Sequence, residues 1–177
     1  FFYGQGLALR LWQSLKKNRG STIFLYPVKN PTQYGVVELD KMNKIKKISE
    51  KPKKTNSNLA ITGLYLFNSK VVKLSEKLKP SKRNELEITD LIKSYKRKNL
   101  LRIEQIGRGG SWLDTGTAKD LFDASLFVST IEKRQGLKIA CLEEIAFRNK
   151  WITKNSIIKS IKFYGNCDYS NYLNKLI

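Results

Sequence analysis

Leu59-Ala60-Ile61-Thr62-Gly63-Leu64-Tyr65-Leu66-Phe67 is the strongest strand signal in the chain. Branched and aromatic residues dominate it, and such side chains suit a pleated, buried surface. Gly63 interrupts the run, which predicts that a ligand or a backbone approaches closely there. Upstream, residues 21–29 are a second apolar run and predict a buried strand. Pro31-Thr32-Gln33 predicts a turn, Tyr34 to Leu39 a strand, and Lys44 to Ser49 another after a turn at 40–43. Residues 7–18 predict a helix with Leu7, Leu9, Leu11, Trp12 and Leu15 on one side, stopped by Gly20. Downstream, Asn68-Ser69 predicts a cap for a helix over 70–78, ended by Pro80. Residues 85–98 predict a helix with the stripe Leu86, Ile88, Leu91, Ile92 and Tyr95. A strand over 100–106 leads into a loop at Gly107, Gly109 and Gly110 and a short strand ending at Trp112-Leu113-Asp114. Thr117 caps a long helix over 118–133, with Leu121, Ala124, Phe127, Val128 and Ile131 inside, and Gly136 breaks it. Short helices or turns follow over 143–149, 152–158 and 169–176. Strands and helices interleave, so the expected class is α/β. One domain is expected, with a sheet-and-helix core over 1–135 and a helical tail over 136–177.

Composition narrows the function. The chain has 177 residues, 41% hydrophobic and 28% charged, enough for one domain with a core. No apolar run approaches a membrane span, and the start shows no signal-peptide pattern. Met42 is the only methionine, and a chain opening on Phe1-Phe2 reads as a piece of something longer. There is no histidine, which excludes the usual zinc sites and Ser-His-Asp or Cys-His catalysis. Cys141 and Cys167 are expected to be free buried thiols in a reducing, cytoplasmic setting. The 34 basic and 15 acidic residues give a net charge of +19. Such a charge invites a nucleic-acid reading. The lysines, however, are spread over every segment and no nucleic-acid motif accompanies them, so a solvated basic surface and no nucleic-acid partner are expected.

Four short motifs carry chemistry. In Trp112-Leu113-Asp114-Thr115-Gly116 a lone aspartate sits between bulky residues and a Thr-Gly turn. It suits Mg²⁺, which takes one or two carboxylates and completes its shell with water and phosphate oxygens; equally, it could cap the helix near Thr117. Ser49-Glu50-Lys51-Pro52 offers a carboxylate for sugar hydroxyls and an ammonium for a phosphate, on a backbone stiffened by proline. Tyr34-Gly35-Val36-Val37-Glu38 sets an aromatic beside a residue whose backbone a ligand can approach. Arg83-Asn84-Glu85-Leu86-Glu87-Ile88-Thr89-Asp90 opens on an arginine whose fork matches phosphate oxygens. The bland readings are a surface Glu-Lys pair, an ordinary turn and a solvated loop arginine.

In this order and spacing the motifs resemble the sugar-1-phosphate nucleotidyltransferases, most closely the members that transfer thymidylyl groups to glucose 1-phosphate. The resemblance extends through Ile131-Glu132-Lys133-Arg134-Gln135-Gly136-Leu137-Lys138 and Cys141-Leu142-Glu143-Glu144-Ile145-Ala146-Phe147-Arg148. It implies a Rossmann-like mixed α/β domain, usually homotetrameric. It implies attack of glucose 1-phosphate on the α-phosphate of dTTP, giving dTDP-glucose and pyrophosphate on the way to dTDP-rhamnose. By motif, Asp114 looks like one of two Mg²⁺ ligands. Glu50 and Gly35 look like sugar-binding positions, Ile61 a backbone contact, and Tyr34 and Tyr65 pocket walls. Lys51 and Arg83 look like the catalytic ligands of the sugar phosphate. Tyr3, Gly4, Gly107, Arg108, Glu144, Ile145 and Arg148 match a second, regulatory nucleotide site.

The family also opens with a glycine-rich phosphate loop, a following lysine and a Gly-Asp-Asn stretch with the other metal aspartate. None of these is in this sequence. The expectation is that this chain alone does not catalyse, and that its sheet has an exposed edge. A UTP- or CTP-using relative and a basic nucleic-acid-binding module are the rival readings.

Overall fold

The computed structural model describes residues 1–177. The chain divides into two compact units, Phe1–Leu113 and Asp114–Ile177. The first unit contains β1 (Phe2–Gly4), α1 (Leu7–Lys17), β2 (Ser21–Pro27), β3 (Gly35–Leu39), β4 (Ile45–Glu50), β5 (Leu59–Phe67), α2 (Val71–Ser75), α3 (Ile88–Arg97), β6 (Leu101–Gln105) and β7 (Gly110–Trp112). The second contains α4 (Ala118–Gln135), α5 (Leu142–Arg148), α6 (Lys154–Tyr164) and α7 (Asp168–Asn174). The class is α/β, as the alternation predicts.

Five strands form a mixed sheet in the order β4-β3-β5-β2-β6. Only β2 and β6 run parallel. The middle of β2 is buried on both faces, which is why it reads as an unbroken apolar run. Ile23, Leu25, Val37, Ile48, Ile61 and Ile92 form the core of this unit.

At Gly63 the backbone half of the expectation is corrected. Nothing lies within 4 Å of the position its Cβ would take, so no backbone crowds it. Instead the β2–β5 register jumps from Ile23↔Tyr65 to Leu25↔Ile61, and Gly63 sits in the extra residues of that bulge. The neighbouring Thr62 hydroxyl donates to the Phe24 carbonyl at 2.9 Å and keeps that buried oxygen satisfied. The other edge of β5 meets a strand only at Val36↔Ala60. The rest of that edge faces no strand of this chain.

Three helical faces also differ from expectation. In α1 the covered side carries Leu7, Leu11 and Ser14, spaced four and three residues apart. Leu9, Trp12 and Leu15 are exposed, and the Lys16 ammonium lies 5.2 Å from the Trp12 ring centre. The predicted helix over 85–98 begins at Ile88, so Leu86 lies in the loop, and both Leu86 and Ile88 are exposed. Leu91, Ile92 and Tyr95 are buried as expected. In α4, Ala124 is buried but Leu121 is exposed. Helix α2 is only five residues long.

Chemistry at the ends of α4 follows its sequence. Thr117 caps it by accepting from the Asp120 N–H, and Gly136 ends it at φ 68°. Cys141, Ile157, Tyr172 and Leu173 form the core of the second unit. Both cysteines are free, but Cys167 is exposed, contrary to the expectation of two buried thiols. No helix is long and apolar enough to cross a membrane.

Candidate active site

The antiparallel pairing of β3 with β4 brings Gly35 opposite Glu50. Just past that pair, the Lys51 N–H donates to the Tyr34 carbonyl at 3.0 Å. Lys51 has φ 35°, a left-handed conformation costly for a side chain with a Cβ, and it precedes Pro52. The strain is local to the Glu50-Lys51-Pro52 corner, where sequence reading placed sugar and phosphate ligands.

Gly35 is needed there for space. A Cβ on it would lie 2.9 Å from Thr89 Cγ2, 3.2 Å from Glu50 Oε2 and 3.4 Å from Ile61 Cδ1. Three elements therefore converge on one glycine: β4 through Glu50, β5 through Ile61 and α3 through Thr89. The Thr89 hydroxyl is buried with no hydrogen-bond partner. Tyr65 is close enough to Glu50 to feel its charge. Burial first, and then that negative charge, push the Tyr65 hydroxyl above its ordinary pKa and keep it neutral.

Arg83 completes the cluster. Its Nη1 lies 3.9 Å from Glu50 Oε1 and 3.5 Å from Glu87 Oε1, and its Nη2 lies 2.8 Å from Glu85 Oε2. Trp112 packs edge-on against Tyr34, with ring centres 5.2 Å apart, and against Tyr26 at 6.1 Å. The structure thus gathers Tyr34, Gly35, Glu50, Lys51, Ile61, Tyr65 and Arg83 in the first unit. Glu85, Glu87, Thr89 and Trp112 belong to the same neighbourhood, although sequence reading gave them no role. They stood inside the quoted motifs, where alternating acids look like a helix surface and a tryptophan looks like core.

Asp114 is the first residue of the second unit. It does not cap α4, because Thr117 does. Its Oδ1 accepts from the Thr115 N–H at 2.9 Å, and the side chain is exposed. No three acidic, cysteine or histidine residues gather into a metal-holding group anywhere in the chain. Asp114 is thus a lone exposed carboxylate, which could hold Mg²⁺ only together with ligands from outside this cluster, such as a second carboxylate, water and phosphate oxygens.

The residues matched to a regulatory site fall into two groups. In the first unit, pairing of β1 with β7 sets Tyr3 opposite Ser111 and Gly4 opposite Gly110. The turn Gly107–Gly110 carries Arg108 and is closed by the Gly110 N–H donating to the Gly107 carbonyl at 2.9 Å. Gly4 is tightly constrained: at φ 149°, a Cβ there would lie 2.6 Å from the Gly109 carbonyl oxygen. In the second unit, Glu144, Ile145 and Arg148 lie on α5. Arg148 Nε donates to Glu144 Oε1 at 2.7 Å, and the Tyr172 hydroxyl donates to Glu144 Oε2.

The nucleotidyl transferase family profile matches residues 2–131. The chain belongs to that family. A Neisseria gonorrhoeae protein named glucose-1-phosphate thymidylyltransferase is 44% identical over 176 residues, covering 99% of this chain and 61% of the relative. A Mycobacterium tuberculosis H37Rv protein of the same name is 40% identical, again covering 99% and 61%. The chain thus spans about 60% of the length of these curated relatives. Among solved structures, a Bacillus anthracis candidate glucose-1-phosphate thymidylyltransferase in complex with sucrose gives a TM-score of 0.62 at 33% identity, covering 71% of this chain and 50% of that one. A UDP-glucose pyrophosphorylase complexed with UDP-glucose gives 0.60 at 24% identity, covering 68% and 48%, and shares the fold.

Proposed function

We propose that this chain supplies the sugar-phosphate site of an enzyme that transfers a thymidylyl group from dTTP to glucose 1-phosphate. The single observation that carries this reading is the convergence of Glu50, Ile61 and Thr89 on Gly35, with Lys51 and Arg83 alongside. The names of the relatives supply the choice of glucose 1-phosphate and of a thymidine nucleotide. The family match crosses the boundary between the two units, which supports a single nucleotidyltransferase domain.

In this reading Glu50 accepts hydrogen bonds from sugar hydroxyls, and Gly35 leaves room for Glu50, Ile61 and Thr89 to close around the site. Tyr34, braced by Trp112, and Tyr65 wall the pocket. Lys51 and Arg83 hold the phosphate. A phosphate oxygen of glucose 1-phosphate attacks the α-phosphorus of dTTP. The new oxygen–phosphorus bond forms as the bond to the β-phosphate bridging oxygen breaks, and pyrophosphate leaves. No protein nucleophile is needed, so the lack of histidine is compatible with the chemistry. Alignment and charge neutralisation supply the rate. Mg²⁺, with Asp114 as a ligand from this chain, would neutralise charge on the phosphates. The two free thiols suit a reducing cytoplasm. A homotetramer is proposed for the whole protein, and the exposed Leu121, Phe122 and Leu126 on α4 offer it contact area.

The test is formation of dTDP-glucose and pyrophosphate by a protein that carries this chain at the full length of the relatives. Turnover should require Mg²⁺ and should favour dTTP over UTP and CTP. Preference for UTP, or failure to use glucose 1-phosphate, would overturn the assignment.

A further inference from the structure

The loop before α3 folds back on itself. The Ser81 N–H donates to the Glu85 carbonyl at 2.8 Å, and the Asn84 N–H donates to the Ser81 carbonyl at 2.9 Å. The Arg83 N–H donates to Ser81 Oγ at 3.1 Å. Asn84 takes a left-handed conformation at φ 58°, which asparagine tolerates better than most residues. This tight turn holds Arg83 and Glu85 together.

The two ends of the Arg83 fork keep different company. Nη1 faces Glu87 and Glu50, whose side chains are only 10% and 20% exposed. Glu87 is fixed further, because Ser81 Oγ donates to its Oε1 at 2.8 Å. Nη2 faces Glu85, whose side chain is 56% exposed and contacts Nη2 at 2.8 Å. Glu87 is anchored, and Glu50 is mostly covered and meets the fork at 3.9 Å. Glu85 is held by this ion pair and surrounded by water. A phosphate monoester offers the same fork two oxygens and more negative charge.

We infer that Glu85 is an internal competitor for the anion subsite of Arg83. In the free protein its carboxylate occupies Nη2. When a sugar phosphate binds, Glu85 gives up that position and turns into solvent. Glu85 therefore sets the affinity for phosphorylated sugars without touching them, while Glu87, fixed by Ser81, keeps the guanidinium in place. The inference rests on the reading of Arg83 as a phosphate ligand.

Calorimetric titration of the 177-residue chain with glucose 1-phosphate, and separately with glucose, tests it. Glu85→Gln keeps size and exposure but removes the competing charge. An exposed pair limits the gain to roughly two- to fivefold tighter glucose 1-phosphate binding. The gain should shrink as salt rises, because the lost competition is electrostatic. Glucose binding should be unchanged. Equal or weaker binding of glucose 1-phosphate by Glu85→Gln overturns the competitor role. So does an equal gain for glucose, which would place the effect away from the phosphate. If wild type and variant both bind glucose but neither responds to its phosphate, the phosphate role of Arg83 falls as well.

Discussion

Two acidic clusters in this molecule are built in opposite ways. Around Arg83, three carboxylates share one guanidinium that is 41% exposed, and the nearby Lys51 ammonium has no carboxylate within ion-pair distance. Around α5, Glu143 and Glu144 are closed off. Glu143 accepts from the hydroxyls of Tyr164 at 3.0 Å and Tyr169 at 2.5 Å, and Tyr169 also meets Cys141 Sγ at 3.1 Å. Glu144 is held by Tyr172 and Arg148. In the first cluster Lys51 keeps an uncommitted charge, while the Arg83 fork is already shared by carboxylates. The second spends its capacity on joining three helices. Charged residues alone do not mark a site; in the proposed one an uncommitted ammonium stands beside a crowded glycine.

The largest effect expected from breaking this contrast is at Arg83. Arg83→Ala should weaken glucose 1-phosphate binding by about tenfold to a hundredfold, the range for a lost charge-assisted hydrogen bond. Thermal stability should fall as well, because Glu87 and Glu50, only 10% and 20% exposed, lose their countercharge. Calorimetry and a thermal melt on the same sample separate the two. Gly35→Ala comes next. A methyl at 2.9 Å from Thr89 Cγ2 must displace α3 or Glu50, so stability in urea should fall by about 1–3 kcal/mol. Glucose binding should fall with it. Unchanged stability in Gly35→Ala would mean that this glycine serves only the turn.

Tyr169→Phe should affect stability alone. It leaves a partly buried carboxylate and thiol short of a partner, costing about 1–2 kcal/mol, with ligand affinity intact. The smallest effect is the response to pH. Burial raises the Glu143 pKa, but hydrogen bonds from Tyr169 and Tyr164 outweigh it, and the net shift is downward. Its contribution is thus present above the ordinary glutamate range near ~4.3 and is lost as pH falls through the depressed value. Burial, then bonds to Cys141 and Glu143, push Tyr169 upward. That contribution is full below about pH 10 and is lost as pH rises further. Melting temperature of the tail should therefore drop as pH falls below about 5 and as it rises above about 10. In Tyr169→Phe both drops should be shallower.

The sequence made the strands legible because β2 and β5 are dense in branched and aromatic residues. It also showed which residues share a side of a helix. It did not show which side is covered. Leu9, Trp12 and Leu15 form a helical stripe that this chain leaves open, while Ser14 is buried. Gly63 signalled an irregular strand, but a bulge and a close approach look alike until the register is known. The motif residues Gly35, Glu50, Lys51 and Arg83 were legible by type. The crowding of Gly35 by Thr89 and Ile61 was not, since those partners are 54 and 26 positions away. Nor was the tail network, whose bonds join residues 21 to 28 positions apart.

The most direct test of the central claim is an amide NMR titration of the 177-residue chain with glucose 1-phosphate. The account predicts shifts at Gly35, Glu50, Lys51, Ile61, Arg83 and Thr89, abolished or much reduced in Arg83→Ala. It predicts none at Glu143, Glu144, Tyr169 or Tyr172. Shifts centred on the tail, or a wild-type pattern in Arg83→Ala, would contradict it.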